Sequence, residues 1–271
     1  MSRIGDLFLS TGRPLFIAFT VAGDPDFERS ITAARALIDG GTDILELGVP
    51  FSDPVADGPT IQRADCRALR AGTTPGLVFE MVCRIRRFSA VPVVLLTYYN
   101  IVHHYGITRF YHDAGEAGVD GILIADMPVE ESGTVMTVAA ETGVDQIFMV
   151  CETTSPERFE RILKNATGFL YLVSHMGVTG VLAALPPGAT ALVQSVREKT
   201  TMPLAVGFGI ATPVHAAGVI DAGADAAIAG SAIVGIIEEN MDDTEGMQKA
   251  LKNYAISMRA SMNGMGGPGR V

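Results

Sequence analysis

Glu46, Asp53 and Asp57 fall within one stretch, 46–59, that reads Glu-Leu-Gly-Val-Pro-Phe-Ser-Asp-Pro-Val-Ala-Asp-Gly-Pro. Glu46 lies inside an apolar run, Ile44 to Val49, and the two aspartates lie on a segment stiffened by Pro50, Pro54 and Pro59. Proline fixes φ and has no N–H to give to a sheet ladder, so this segment is a loop leaving a strand. A carboxylate inside a buried strand is costly unless it is paired or used. Two carboxylates can divide acid and base work when one is desolvated, which raises its pKa, and the other stays solvated or hydrogen-bonded. Glu46, between Leu45 and Leu47, is the candidate for the dry acid and Asp57 for its partner. The competing reading makes Glu46 a paired structural residue and Asp57 a turn former beside Gly58. Asp53, before Pro54, reads as a turn residue or a surface contact.

The elements that must hold these acids follow from periodicity. Leu15 to Val21 is a near-continuous apolar run, as expected of a strand buried on both faces. Phe27 to Asp39 has apolar residues at helical spacing and stops at Gly40-Gly41. A unit then recurs: a helix stop, a Gly, an Asp two residues on, and a short apolar strand. It appears at Gly41-Thr42-Asp43, Gly118-Val119-Asp120, Gly143-Val144-Asp145 and Gly223-Ala224-Asp225. With Pro92 to Tyr98, Gly168 to Val173 and Pro203 to Gly207 the strands number eight, with helical stretches between most of them. Eight parallel strands in a chain of 271 residues is the expectation for a TIM (β/α)8 barrel, here with an extra N-terminal helix around Ile4 to Leu9. The alternative, a doubly wound open sheet, lacks a G-x-G-x-x-G after the first strand. No linker divides the chain, so residues 1–262 read as a single barrel domain and 263–271 as a Gly-rich tail that frays.

Enzymes on this fold keep their active site at the C-terminal ends of the strands. The loops after strands seven and eight, Gly207-Phe208-Gly209-Ile210 and Gly230-Ser231-Ala232-Ile233, carry glycines ahead of a helix. Backbone N–H groups and the helix dipole would favour a phosphate there, with Ser231 capping the helix or donating its hydroxyl. The bland alternative is a pair of tight turns. Asp126, at the end of strand four, is a further acid, though Asp commonly starts such a turn. His175 stands alone in a Gly-rich loop and reads as a surface histidine. His103-His104 has no acid cluster at ligand spacing, so no metal is expected. Phe19, Leu96, Tyr98, Tyr171 and Phe208 lie on or just past strand ends, as barrel core or as the wall of an apolar ring site.

Composition bounds the partners. The formal net charge of −10 argues against a nucleic-acid phosphate track, while leaving room for a small phosphorylated molecule. Cys66, Cys83 and Cys151 show no pairing or zinc spacing, which fits inert thiols in a reducing cytoplasm. The segment from Met1 to Thr11 lacks the layout of a signal peptide. No apolar run approaches the roughly 18 residues of a membrane span.

The motifs resemble those of the tryptophan synthase alpha subunit family. The run at 46–59 is the most specific. Gly23-Asp24-Pro25, Pro128-Val129-Glu130-Glu131, Gly177-Val178-Thr179-Gly180 and the two glycine loops fall in the same order along nearly the whole chain. The resemblance implies cleavage of indole-3-glycerol phosphate to indole and glyceraldehyde 3-phosphate, a retro-aldol step with no cofactor or metal in this chain. It implies proton transfer by Glu46, and contact of Asp57 with the indole N–H. It places indole among Phe19, Leu96, Tyr98 and Tyr171, and phosphate at the backbone of Gly180, Gly209, Gly230 and Ser231. It implies mobile loops after strands two and six, the second (174–189) a lid whose Thr179 meets the aspartate on closing. It also implies a beta subunit carrying pyridoxal phosphate, in an alpha2-beta2 heterotetramer with a tunnel for indole; Asp53 is the partner-contact candidate. Many members carry a polar run such as Ser-Arg-Ser before Gly-Val-Thr-Gly, whereas this chain has Ser174-His175-Met176. That departure bears on lid ordering and on coupling to the partner. A free-standing lyase, and a catalytically silent barrel kept as a binding partner, are the alternatives. The presence of both Glu46 and Asp57 argues against the silent barrel.

Overall fold

The computed structural model of the chain describes residues 2–173, 187–207 and 209–262. Thr179, Gly180, Phe208, the Ser174-His175-Met176 run, most of the expected lid and the 263–271 tail lie outside the described residues.

Eight parallel strands close into a barrel in chain order: β1 (Leu15–Val21), β2 (Ile44–Gly48), β3 (Val93–Thr97), β4 (Gly121–Ile124), β5 (Asp145–Cys151), β6 (Leu170–Val173), β7 (Leu204–Val206) and β8 (Ala226–Ala229). β1 pairs with both β2 and β8, so the sheet has no edge and the open-sheet alternative is excluded. The helices are α1 (Arg3–Thr11), α2 (Phe27–Asp39), α3 (Pro59–Arg70), α4 (Pro75–Arg86), α5 (Tyr99–Tyr105), α6 (Ile107–Ala117), α7 (Gly133–Thr142), α8 (Pro156–Asn165), α9 (Pro187–Arg197), α10 (Pro213–Asp221), α11 (Ser231–Glu239) and α12 (Thr244–Ser261).

The strands read as continuous apolar runs because both of their faces are covered. Alternate residues of β1 divide between two apolar clusters. Leu15, Ile17, Phe19 and Val21 fill the barrel with Ile44, Val94, Leu96, Leu123, Ile147 and Tyr171. Phe16 and Ala18 join the layer between strands and helices. The period of two puts Glu46 on the inward face of β2, with Ile44. The N-terminal helix α1 closes the opposite end of the barrel: Ile4 is fully buried against Gly121, and Phe8 meets Phe169 with ring centroids 6.0 Å apart.

The recurring Gly-x-Asp unit works as a staple at that closed end. Its glycines, Gly41, Gly118, Gly143 and Gly223, all have φ between 70° and 109°, the left-handed conformation that ends a helix. Each of three aspartates then accepts an N–H from the first or second residue of the preceding strand: Phe16 to Asp43 (2.9 Å), Val93 to Asp120 (2.7 Å) and Leu204 to Asp225 (2.8 Å). Each also pairs with arginine: Arg13 with Asp43 (2.7 Å), Arg86 and Arg3 with Asp120 (both 2.6 Å), and Arg197 with Asp225. In the fourth unit Asp145 has no arginine; Ser2 and Thr167 hydrogen-bond its carboxyl, while burial raises its pKa.

Candidate active site

β2 places Glu46 level with Phe19 of β1 and Val94 of β3. The side chain is 0% exposed and neither carboxyl oxygen has a hydrogen-bond partner. Burial, with the charge of Asp57 second, pushes its pKa up to about 8. At neutral pH Glu46 is therefore a neutral acid in an apolar wall. Because it feels Asp57 as a negative charge, Asp57 ionises first.

Asp57 stands at the end of the 49–58 loop, ahead of α3, whose first residue is Pro59. Tyr98, just past β3, anchors this loop. Its hydroxyl donates to Asp57 Oδ2 at 2.7 Å and accepts the Ala56 N–H at 3.1 Å, and its ring lies 5.1 Å from that of Phe51. Burial raises the Asp57 pKa, opposed by the Tyr98 hydrogen bond. Asp57 is thus a half-buried carboxylate held at one oxygen, with the other available to a ligand N–H. Asp53 is exposed beside Ser52, whose hydroxyl donates to it, and Val55 at the loop tip is 84% exposed.

Phe19, Leu96, Tyr98 and Tyr171 are all buried at this end of the barrel, and three of them share the inner cluster with the β2 wall. Two of the glycines beside them are sterically required. A Cβ on Gly207 would stand 2.2 Å from the Tyr171 ring, and one on Gly230 would stand 2.9 Å from Phe19. Burial, then the charges of Glu46 and Asp57, drives the Tyr171 hydroxyl far above its ordinary pKa, so it stays a neutral donor.

On the other side of the mouth, Gly209 has φ 74° and leads to α10, which Thr212 caps. Gly230 is the N-cap of α11 and Ser231 its first helical residue. The expectation that Ser231 caps the helix is therefore corrected: a glycine occupies the cap, with no side-chain hydrogen bond there. The serine hydroxyl and the first-turn N–H groups of α11 remain for an anion.

The remaining candidates take structural positions. Asp126 is exposed and accepts the Tyr99 N–H at 2.7 Å, the turn role weighed for it above. Glu130 pairs with Arg158 at 3.0 Å. His103 and His104 are exposed on α5. Among the described residues no three His, Cys, Asp or Glu side chains converge as metal ligands.

Two features escaped the sequence reading. Asp24, fully buried after β1, accepts both Nε (2.7 Å) and Nη2 (2.9 Å) of Arg67; Arg67 also reaches Glu238 (2.8 Å), which Arg63 grips as well. These contacts tie α3, and with it the catalytic loop, to the β1 loop and to α11. The second is Asp65 on α3, 4% exposed with its Oδ2 unpartnered. A Gly-Asp-Pro turn and a charge-dotted helix do not disclose such contacts.

A family model described as tryptophan synthase alpha chain matches residues 8–263. The tryptophan synthase alpha chain of Methanoregula boonei is 56% identical over 259 residues, 96% of this chain and 98% of its own. The crystal structure of tryptophan synthase subunit alpha from Legionella pneumophila str. Paris superposes with a TM-score of 0.89 at 36% identity, covering 97% of this chain and 98% of that one. A chain from a structure of the tryptophan synthase a2b2 complex of Pyrococcus furiosus gives 0.86 at 36% identity, covering 92% and 100%.

Proposed function

The chain belongs to the tryptophan synthase alpha chain family, and we propose how its residues carry that family's reaction. The activity is cleavage of indole-3-glycerol phosphate to indole and glyceraldehyde 3-phosphate. The observation that carries our reading is the pair of unlike acids at the mouth, a dry neutral Glu46 and a Tyr98-held Asp57.

Cleavage requires a proton on C3 of the indole and the loss of one from the glycerol hydroxyl next to the ring. Glu46 gives its proton to C3. The ring nitrogen becomes electron-poor, and the Asp57 carboxylate accepts its N–H and stabilises the developing positive charge. The Glu46 carboxylate then takes the hydroxyl proton. The C=O of the aldehyde forms, the bond to C3 breaks, and its electron pair returns to the ring. Glu46 ends protonated, ready for another turnover. The scheme needs no other group than these acids, so this chain requires no cofactor of its own.

Phe19, Leu96, Tyr98 and Tyr171 enclose the indole. The backbone of Gly209 and Gly230, with Ser231, holds the phosphate on the far side, joined by Gly180 of the 174–189 segment. Thr179 of that segment meets Asp57 when it closes as a lid, and water is excluded. The exposed tip with Asp53 and Val55 meets a beta subunit, which uses pyridoxal phosphate and receives the indole. The a2b2 assembly of the Pyrococcus furiosus relative supports such a partner. Among the described residues no helix is long and apolar enough to cross a membrane. The three free cysteines support the cytoplasm as the compartment.

The test is indole release from indole-3-glycerol phosphate by the purified chain, with and without a beta subunit. Release that rises when the beta subunit is added is the expected result. Release unaffected by the beta subunit would make the chain a free-standing lyase, and no release in either arm would leave a silent barrel.

A further inference from the structure

Asp65 has no task in the scheme above, yet it is an acid buried at the catalytic rim. It lies on α3, the helix that receives the catalytic loop. Its side chain is 4% exposed, the Phe51 backbone N–H bonds to its carboxyl, and Oδ2 has no partner. The groups that face it are acids and a phenol: Asp57 from the loop, Asp24 from the β1 loop and Tyr98 from the end of β3. The nearby cation, Arg67, is committed to Asp24 and Glu238. Asp65 thus touches the loop at its start, through Phe51, and opposes it at its end, at Asp57.

We propose that Asp65 is a positioning residue for Asp57, a proton-operated latch on the catalytic loop. With its proton, the carboxyl tolerates ionised Asp57 beside it, at the cost of a weaker bond from the Phe51 N–H. Without the proton, two carboxylates confront each other across a short loop with no cation between them. Asp57 then leaves its place at Tyr98, and the acceptor for the ring N–H is lost. The inference rests on the role given to Asp57 above.

Burial, followed by Asp57 and opposed by the Phe51 N–H, pushes the Asp65 pKa up to about 8. Asp65 feels the charge of Asp57, while Asp57 ionises with Asp65 still neutral; the order of the two ionisations gives this asymmetry. Glu46 also loses its proton near pH 8, so the two losses overlap as coupled macroscopic steps. Cleavage then has two reasons to fail on the alkaline side: Glu46 no longer supplies a proton, and the loop no longer presents Asp57.

The test is the pH profile of kcat/KM for indole release by the whole chain with its beta subunit. Above both steps the wild type should fall about a hundredfold per pH unit, and Asp65→Asn, which cannot ionise, about tenfold. Superimposable profiles would overturn the proposal. Should Asp65→Asn not fold, the Phe51 amide resonance of the wild type gives a second reading. It should titrate with a midpoint near 8, and a resonance that does not move between pH 6 and about 10 would overturn the latch equally. The two readings of the site fail separately. Retained cleavage in Glu46→Gln would remove the acid/base assignment, whereas coincident profiles with an inactive Glu46→Gln would remove only the latch.

Discussion

The two ends of the barrel treat buried acids in opposite ways. At the closed end Asp43, Asp120 and Asp225 each accept a strand N–H and each meet at least one arginine. At the open end Glu46 and Asp65 have no cation among the described residues, carry orphaned oxygens, and lie near other negative charge. Satisfied acids hold strands in register; unsatisfied acids keep protons at neutral pH and can give them away. Asp145 departs from the contrast: it is at the closed end, yet it has no arginine and one unpartnered oxygen, and burial raises its pKa. Asp24 departs from it in the other direction. It is at the open end, but Arg67 satisfies it, and its work is to tie α3 to the β1 loop. The fold thus keeps its electrostatic stability at one face and places its electrostatic cost where the chemistry is.

Several substitutions break or sharpen this contrast. The largest effect belongs to Glu46→Gln. Single-turnover indole release should fall by about a thousandfold or more, with substrate affinity changed only a few-fold. Near-normal turnover would end the distinction between the two ends.

The same variant carries the sign of the cost. The folded-state pKa of Glu46 lies above the ordinary glutamate value of 4.5, at about 8. Folding therefore takes up a proton between these values, and the penalty grows as pH rises through the window, at about 1.4 kcal/mol per unit. The stability of Glu46→Gln relative to the wild type should rise from about pH 5 to about pH 8, by several kcal/mol, in urea unfolding. A flat difference would mean that Glu46 is not desolvated.

The converse substitution is at the closed end. Arg86 donates to Asp120 and to the Gly118 carbonyl. Arg86→Leu leaves both without it and should cost about 3 kcal/mol of stability, with kcat unchanged at temperatures where the protein is folded. A catalytic defect larger than the loss of folded protein would show that the two ends are coupled. The smallest effect is expected at the anion side: Ser231→Asp should weaken binding of phosphorylated ligands about tenfold by charge repulsion, read by calorimetry with glyceraldehyde 3-phosphate. Unchanged affinity would move the phosphate away from α11.

Much of this contrast was legible in the sequence, and unevenly. The eight strands were marked by apolar runs and by the Gly-x-Asp repeat, and β1 and α2 were bounded to the residue. Other strand ends shifted by one or two residues; Val49 and Tyr98, for example, follow their ladders. Glu46 stood out because a charge inside a buried strand has few innocent explanations. Tyr98 was legible as part of an apolar wall, but its hydroxyl partner was not. That hydrogen bond joins residues 98 and 57, which the pairing of β2 with β3 and the path of the loop bring together. Asp65 was not legible at all. Between Arg63 and Arg67 it resembles a solvated helix charge, and its burial depends on how α3 packs beneath the loop. Of the two roles weighed for Ser231, a cap or a hydroxyl donor, the first falls: serine favours the cap position, but Gly230 occupies it, close against Phe19.

Burial keeps a proton on Glu46 at neutral pH. Infrared difference titration of the wild type against Glu46→Gln reads that proton directly, through the carbonyl band of a protonated carboxyl. The band should be present at neutral pH and disappear with a midpoint near 8. A Glu46 carboxyl already ionised below about pH 6 would contradict it.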